Sequence, residues 1–230
     1  MTMSEKTVSY KIMPAESEPQ LSCGWNDPPW DRANVLCADH FHPAGSDHHP
    51  ETKAKLLYDA RRIHVRFNVR DRYVRCVHTE YQSPVFFDSC VEFFVQPRAG
   101  QGYFNFEVNC GGTLLLHYRE HDGPPPVDHS KAVHVDERLA RGIRIEASMP
   151  RVVDPEIMDP VEWRAAWSIP FTLFEEFVGP LTPVAGTAWR ANFYKCGNEL
   201  SHPHWASWAP VGGRLDFHQP QLFAPIEFAP

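Results

Sequence analysis

The chain has 230 residues, a formal net charge of −7 at pH 7 and a pI near 6.0. Binding to phosphate backbones or to anionic lipid needs a clustered excess of Lys and Arg, so we expect neither a nucleic-acid nor a membrane partner. Hydrophobic residues make up 43% of the chain and Pro outnumbers Gly by 22 to 13. This composition indicates a folded chain with many turns and disfavours an all-helical fold.

The N-terminal segment lacks the apolar core of a secretory signal, and no later stretch reaches the ~20 apolar residues of a membrane span. We therefore expect a soluble protein, cytoplasmic as this sequence reads and secreted if a signal peptide has been removed. None of the six cysteines lies in a CxxC pair, which favours reduced, largely buried thiols over a disulfide scaffold. They are Cys23, Cys37, Cys76, Cys90, Cys110 and Cys196.

The first fifth of the chain differs in composition from the rest. Residues 1–50 are rich in Pro, Asp and His and show little periodicity. We interpret them as an irregular extension that packs its aromatic residues, including Trp25 and Trp30, against a second part. That second part, residues 51–230, is predicted to be a single domain, because a sandwich of this size commonly forms one unit.

Alternating apolar and polar residues then recur along the chain. Residues 63–70 alternate strictly, which predicts a half-buried strand, and residues 73–78 are its predicted hairpin partner. Phe171, Phe174 and Phe177 recur at helical spacing and predict a helix of one to two turns. Further strands are predicted within residues 88–97, 103–109, 113–118, 132–135, 141–150, 162–170, 188–197 and 222–228, with a loop at 121–130.

Roughly eight to ten short strands with one short helix are typical of a sandwich or jelly roll. We therefore predict an all-β, antiparallel β-sandwich of jelly-roll type. Its predicted core residues are Val91, Phe93, Val95, Phe104, Phe106, Val108, Trp163, Trp189 and Phe193.

Three segments together resemble the family 9 carbohydrate-binding modules. They are SPVFFDSCVEFFVQP at 83–97, YFNFEVNCGG at 103–112, and WRANFYKCG with SWAPV and DFHQPQLFAPIEF within 189–228. Their order, spacing and strand phases carry the resemblance, which does not extend to the first 50 residues. The resemblance implies a jelly-roll sandwich, often with structural calcium, that binds a mono- or oligosaccharide between two aromatic rings without cleaving it.

The resemblance also implies positions for the site. The two clamp rings fall on Phe86 and Phe217, where the family usually has Trp. The polar groups fall on Glu92, on Glu107, where the family can have Arg, and on Tyr194, with Arg214 as a loop donor. A flat ring stacks on the C–H face of a pyranose while polar groups bond its hydroxyls, so these residue types suit a sugar chain end.

Other interpretations remain open at this point. Phe86 and Phe217 can be packing residues, and Glu92 with Glu107 can belong to a glycoside-active enzyme, which needs two carboxyl groups at the reacting bond. The thirteen histidines suggest a metal-dependent enzyme as a second alternative, although their spacing matches no metal motif. A sandwich that has lost sugar binding and serves as an interaction domain is the third alternative.

The remaining candidates for the site are calcium ligands, two tryptophans and two histidines. Calcium oxygen ligands are available from aspartates, but without EF-hand spacing, so no metal residue is assigned. Trp208 is placed in the core and Trp205 is a weak site candidate, while His202 and His204 are expected to pack or to line the rim. The aspartates considered for calcium are Asp39, Asp47, Asp59, Asp71 and Asp88.

Overall fold

A computed structural model of the chain describes residues 8–120 and 131–230; the predicted loop at 121–130 lies outside the described residues. The described residues form sixteen strands and two α-helices. The strands are β1 (Tyr10–Pro14), β2 (Leu36–Cys37), β3 (His40–Phe41), β4 (Glu51–Tyr58), β5 (Arg62–Asp71), β6 (Val74–Cys76), β7 (Cys90–Gln96), β8 (Tyr103–Asn109), β9 (Leu114–Arg119), β10 (Ala132–His134), β11 (Arg144–Ala147), β12 (Val153–Ile157), β13 (Val161–Pro170), β14 (Ala188–Gly197), β15 (His204–Ser207) and β16 (Ala224–Phe228). The helices are α1 (Glu137–Ala140) and α2 (Phe171–Val178).

Two curled sheets enclose the main core. The first sheet has the order β10-β9-β8-β7-β14-β16-β1, with β15 on β14 and β3 on β15. The second has the order β1-β4-β5-β13-β11, with β2 on β4, and β6 pairs separately with β12. Phe67 of the second sheet meets Phe193 of the first, with ring centroids 6.1 Å apart. The predicted all-β sandwich is confirmed.

Strand β1 belongs to both sheets. Its residues Tyr10, Lys11 and Ile12 pair in parallel with β16, and its residues Met13 and Pro14 pair in parallel with β4. The prediction of antiparallel pairing therefore misses these two ladders.

Residues 8–50 contain more regular structure than the sequence indicates. Besides β1 they supply β2 and β3, and Trp30 is fully buried on the second sheet against Leu57. Strand β4 was also missed, and it, not residues 73–78, is the hairpin partner of β5. Strand β4 does not show the apolar pattern of a buried strand because polar residues stand at buried positions. Lys55, for example, is buried and donates to the carbonyls of Trp25 and Trp30. The boundary at residue 50 stays a prediction.

The core follows the predicted faces. All nine predicted core residues are at most 2% exposed. Helix α2, the predicted one, packs the ring of Phe174 against Phe104 at 5.1 Å and against Trp189 at 5.4 Å. It ends at Gly179, whose φ of 73° is in the left-handed region that favours glycine. Helix α1 is a single additional turn.

Two further features bear on the sequence predictions. No helix in the described part of the chain is long and apolar enough to cross a membrane. All six cysteines are free, and four of them are buried.

Candidate functional site

The outer face of the first sheet carries a cavity of about 490 Å³. Strands β7, β8, β9 and β14 form its floor, and the segment 214–218 forms one wall. Successive side chains on a strand point to opposite faces, so the residues between the core positions face this cavity. The alternation that fills the core therefore also supplies the floor.

Two carboxyl groups lie side by side on the floor. Glu92 on β7 is directly opposite Glu107 on β8. Glu92 is 2% exposed, and its Oε1 accepts a hydrogen bond from Cys196 Sγ at 3.0 Å. Glu107 Oε1 accepts from Asn105 Nδ2 at 2.8 Å, whereas its buried Oε2 has no hydrogen-bond partner among the described residues.

Burial controls the charge of this pair. It raises the pKa of Glu92 well above its ordinary value, and the neighbouring Cys196 and Glu107 add to the effect. Burial likewise raises the pKa of Glu107 from 4.5 to about 7. Near neutral pH the floor therefore holds protons, and a protonated carboxyl group can donate a hydrogen bond as well as accept one.

Phe217 forms one aromatic wall, supported from below. Its ring stacks on that of Tyr194, with centroids 4.0 Å apart and planes 12° apart. Tyr194 Oη also donates to the carbonyl of Phe217 at 3.0 Å. Tyr194 is fully buried, supports the ring of Phe217 and does not line the cavity, while its predicted role toward a sugar stays a prediction.

Two other half-buried aromatic side chains line the cavity. Phe86 lies in the short 3-10 turn Val85–Phe87 and packs edge-on against Phe87 at 4.6 Å. Trp205 on β15 is half-buried, and its Nε1 donates to Asn198 Oδ1 at 2.7 Å, which fixes the plane of the indole. Phe86, Trp205 and Phe217 border one apolar cluster, so three rings rather than two surround the floor.

The polar residues around the cavity include the predicted Arg214 and two that were not predicted, His117 and Arg119. Arg214 is exposed and pairs with Asp216, with Nη2 and Oδ2 3.3 Å apart. Arg119 and His117, both on β9, line the cavity with nitrogens that lack hydrogen-bond partners among the described residues. Burial lowers the pKa of His117 to about 4, with a smaller effect of His134, so its ring is neutral.

Protein donors already occupy two of the aspartates considered for calcium. Asp88 accepts from the backbone N–H groups of Val77 and His78, each at 3.1 Å, and from Asn109 Nδ2 at 2.9 Å. Asp71 accepts from His48 Nε2 at 2.7 Å, and Lys195 Nζ lies 3.4 Å from its Oδ2. Neither carboxylate therefore presents a free set of oxygens to a calcium ion.

The histidines near β15 pack rather than line the cavity. His202 stacks on Tyr73 with ring centroids 3.7 Å apart. Burial lowers the pKa of His204 to about 3, and Lys195 adds to the effect. The neutral His204 ring thus accepts from Lys195 Nζ through Nε2 at 2.6 Å and donates through Nδ1 to the carbonyl of His202.

Comparison with known proteins identifies the family. The model of the family described as Carbohydrate-binding family 9 matches residues 31–228. This chain belongs to carbohydrate-binding family 9. The predicted function, non-catalytic carbohydrate binding, is confirmed, and the family match favours a binding module over an enzyme. No curated protein sequence matches the chain.

Solved structures share the family 9 fold. A candidate carbohydrate-binding protein from Bacteroides uniformis ATCC 8492 is 25% identical, with a TM-score of 0.83, over 96% of this chain and 99% of that chain. A family 9 module from Caldicellulosiruptor kristjanssonii in complex with cellotriose is 13% identical, with a TM-score of 0.64, over 96% and 94% of the two chains. A second structure from that organism, in complex with glucose, is 14% identical, with a TM-score of 0.59, over 95% of each chain. The last two comparisons concern the fold alone.

In this family 9 chain, five of the six predicted site residues line one cavity. These are Phe86, Glu92, Glu107, Arg214 and Phe217. The alternation of LLLHYR in β9 indicates that His117 and Arg119 lie on the same face of that strand. The sequence does not tell which strand β9 joins, and only its pairing with β8 brings these two side chains to the cavity.

We expect the stability of this family 9 chain to depend on Glu107 as pH changes. A carboxyl group whose pKa is raised by folding contributes stability below its unfolded pKa of about 4.5, and this contribution is lost as pH rises through about 7. In the parent, this titration should lower the free energy of unfolding by on the order of 3 kcal/mol between pH 5 and pH 8. Glu107→Gln should abolish that decrease. Urea denaturation at both pH values measures the difference between variant and parent.

Glu176→Gln is the control for this measurement, because Glu176 is an exposed carboxylate on α2. Its pH dependence should follow that of the parent. Parallel curves for the parent and Glu107→Gln would contradict the assigned titration.

Proposed function

We propose that the cavity over β7, β8, β9 and β14 binds the end of a neutral mono- or oligosaccharide and does not cleave it. The observation that carries the proposal is the combination of three half-buried rings around a polar floor. The rings belong to Phe86, Trp205 and Phe217. A pyranose presents an apolar face to such rings and hydroxyl groups to such a floor.

Trp205 offers a reason why Phe suffices at the two clamp positions. Phe86 and Phe217 present less ring area than the Trp residues usual at these positions. An indole held in place by Asn198 adds apolar area to the same cavity. The stacking surface is then shared among three rings instead of two.

The floor supports hydrogen bonding to sugar hydroxyls. Glu107 Oε2 and several ring or guanidinium nitrogens of His117 and Arg119 lack hydrogen-bond partners among the described residues, and a buried polar group without a partner is costly. Sugar hydroxyls can both donate and accept, so they suit this mixture of groups. The net charge of −7 favours a neutral ligand over a polyanion.

Binding is a better account of the two carboxyl groups than hydrolysis. Glycosidases place an acid and a base or nucleophile on either side of the bond that breaks. Glu92 and Glu107 are instead opposed neighbours on one sheet floor, and each is held by a protein hydrogen bond. The third alternative, an interaction domain without a sugar site, would leave the polar floor without a ligand.

The test is isothermal calorimetry with glucose, cellobiose and cellotriose, together with galactose and xylose series. Heat of binding without product in the same samples supports the proposal. Reducing-sugar release would support the enzyme alternative, and silence toward every sugar in the series would support the interaction domain.

Alanine substitution of single aromatic residues tests which rings contact the sugar. Phe217→Ala and Trp205→Ala should each weaken sugar binding at least about tenfold, because each removes a stacking surface worth about 1.4 kcal/mol. Trp25→Ala is the matched control, since Trp25 is a half-buried ring over Lys55 of the second sheet and does not line the cavity. Equal losses in all three variants would contradict the assignment.

A further inference from the structure

Two cysteines lie at the base of the cavity, next to Glu92. Cys90 on β7 is directly opposite Cys196 on β14. Glu92 follows Cys90 by two positions and therefore points to the same face of the sheet. Cys196 and Glu92 line the cavity, while Cys90 is fully buried beside them.

These three side chains converge at ligand spacing. The two sulfur atoms and a carboxylate oxygen of Glu92 all lie within 4.8 Å of one another. A tetrahedral Zn²⁺ with Zn–S bonds of about 2.3 Å and Zn–O bonds of about 2.1 Å holds its ligand atoms roughly 3.5 to 4 Å apart. Small side-chain rotations therefore suffice to place all three ligands around one ion.

We propose that the reduced protein binds one Zn²⁺ through Cys90 Sγ, Cys196 Sγ and a carboxylate oxygen of Glu92. The fourth position faces the cavity, where water or a hydroxyl group of a ligand completes the tetrahedron. Thiolate ligands select a thiophilic cation over Ca²⁺ or Mg²⁺, which prefer oxygen.

The charges around this trio favour a divalent cation. Two thiolates and a carboxylate carry a combined charge of −3, which one Zn²⁺ reduces to −1. Without metal, burial raises the pKa of Cys90 to about 12 and that of Cys196 well above its ordinary value. Metal binding must then displace the two thiol protons, and the carboxyl proton when Glu92 carries one, so affinity rises with pH.

A second pair of thiols serves as an internal comparison. Cys76 and Cys110 also interact through a side-chain hydrogen bond. Within residues 8–120 and 131–230, however, only the trio of Cys90, Glu92 and Cys196 brings three such ligand atoms together. A Cys76 variant is therefore a matched control, since it also removes a buried, paired thiol.

Co²⁺ is the probe, added to protein kept reduced by a non-thiol reductant without oxygen. We expect saturation at one Co²⁺ per chain, with thiolate-to-cobalt charge-transfer absorption in the near ultraviolet and the strong visible bands of tetrahedral Co²⁺. One equivalent of Zn²⁺ should remove both. Absence of charge-transfer absorption in the parent protein would overturn the proposal.

The variants locate the ion. Cys196→Ser should lower the charge-transfer intensity and weaken Co²⁺ binding at least tenfold, and Glu92→Gln should weaken it while keeping the charge transfer. Cys76→Ser should match the parent. Equal loss in Cys76→Ser and Cys196→Ser, or a weak octahedral spectrum that survives in every variant, would overturn the site.

Loss of the metal site can be told apart from a folding defect and from absent sugar binding. Near-ultraviolet circular dichroism checks each variant, and if Cys196→Ser fails to fold, the parent stoichiometry and Glu92→Gln decide. No sugar enters the cobalt titration, so a failure of the proposed sugar binding leaves the metal result intact.

Discussion

Asp71→Asn should lower the free energy of unfolding by about 3 to 5 kcal/mol, because it leaves a buried ammonium without its counter-charge. Asp71 is 3% exposed and Lys195 is fully buried. Burial alone would raise the pKa of Asp71, but Lys195 and the hydrogen bond from His48 outweigh it and hold that pKa well below its usual range. Urea denaturation monitored by tryptophan fluorescence measures the loss.

A double variant separates the ion pair from simple loss of packing. Lys195→Met combined with Asp71→Asn should cost less than the sum of the two single changes, since neither charge is then left alone. Glu162→Gln is the surface control: its pair with Arg70 is about half exposed, so its loss should stay within about 1 kcal/mol. Strict additivity of the two single changes would rule out the coupling.

Phe106→Ala should also cost about 3 to 5 kcal/mol, because it opens a cavity in the centre of the sandwich. Phe106 is fully buried, and its ring contacts those of Phe93, Phe104 and Phe174 at centroid distances of 5.8 to 6.2 Å. Equilibrium urea unfolding should give a lower midpoint with an unchanged slope.

The control for this change is Val133→Ala on β10, where the side chain is 44% exposed. That substitution should alter stability by less than about 0.5 kcal/mol. A loss below about 1 kcal/mol for Phe106→Ala would mean that the neighbouring rings close the space.

The inner face of the sandwich was predictable because it depends only on the two-residue alternation of apolar and polar side chains along each strand. Phe93, Phe104 and Phe106 lie on the apolar side of strict alternations, and all three are fully buried. The same alternation places Glu92 and Glu107 on the other side, so their convergence follows once β7 and β8 pair. Local pattern therefore gave the core and the two carboxyl groups of the floor.

What escaped prediction depends on contacts between distant segments. Lys195 looks like an ordinary surface lysine within a strand, and only the return of Asp71 from the second sheet gives it a buried partner. Tyr194 was expected to contact the ligand, but the loop that carries Phe217 covers it. Trp205 was only a weak candidate, and its orientation depends on the hydrogen bond that its Nε1 donates to Asn198 Oδ1.

Strand β1 sets a constraint on how the chain reaches its native state. Tyr10 pairs with Ile226, so residues near the two ends of the described chain must meet before this ladder exists. The same short strand then continues the second sheet through Met13 and Leu57. Contacts between residues so far apart in sequence are entropically costly to close and slow the folding of β proteins. Joining of the two sheets through β1 is therefore expected late in folding, after the local hairpins β4–β5 and β7–β8 have formed.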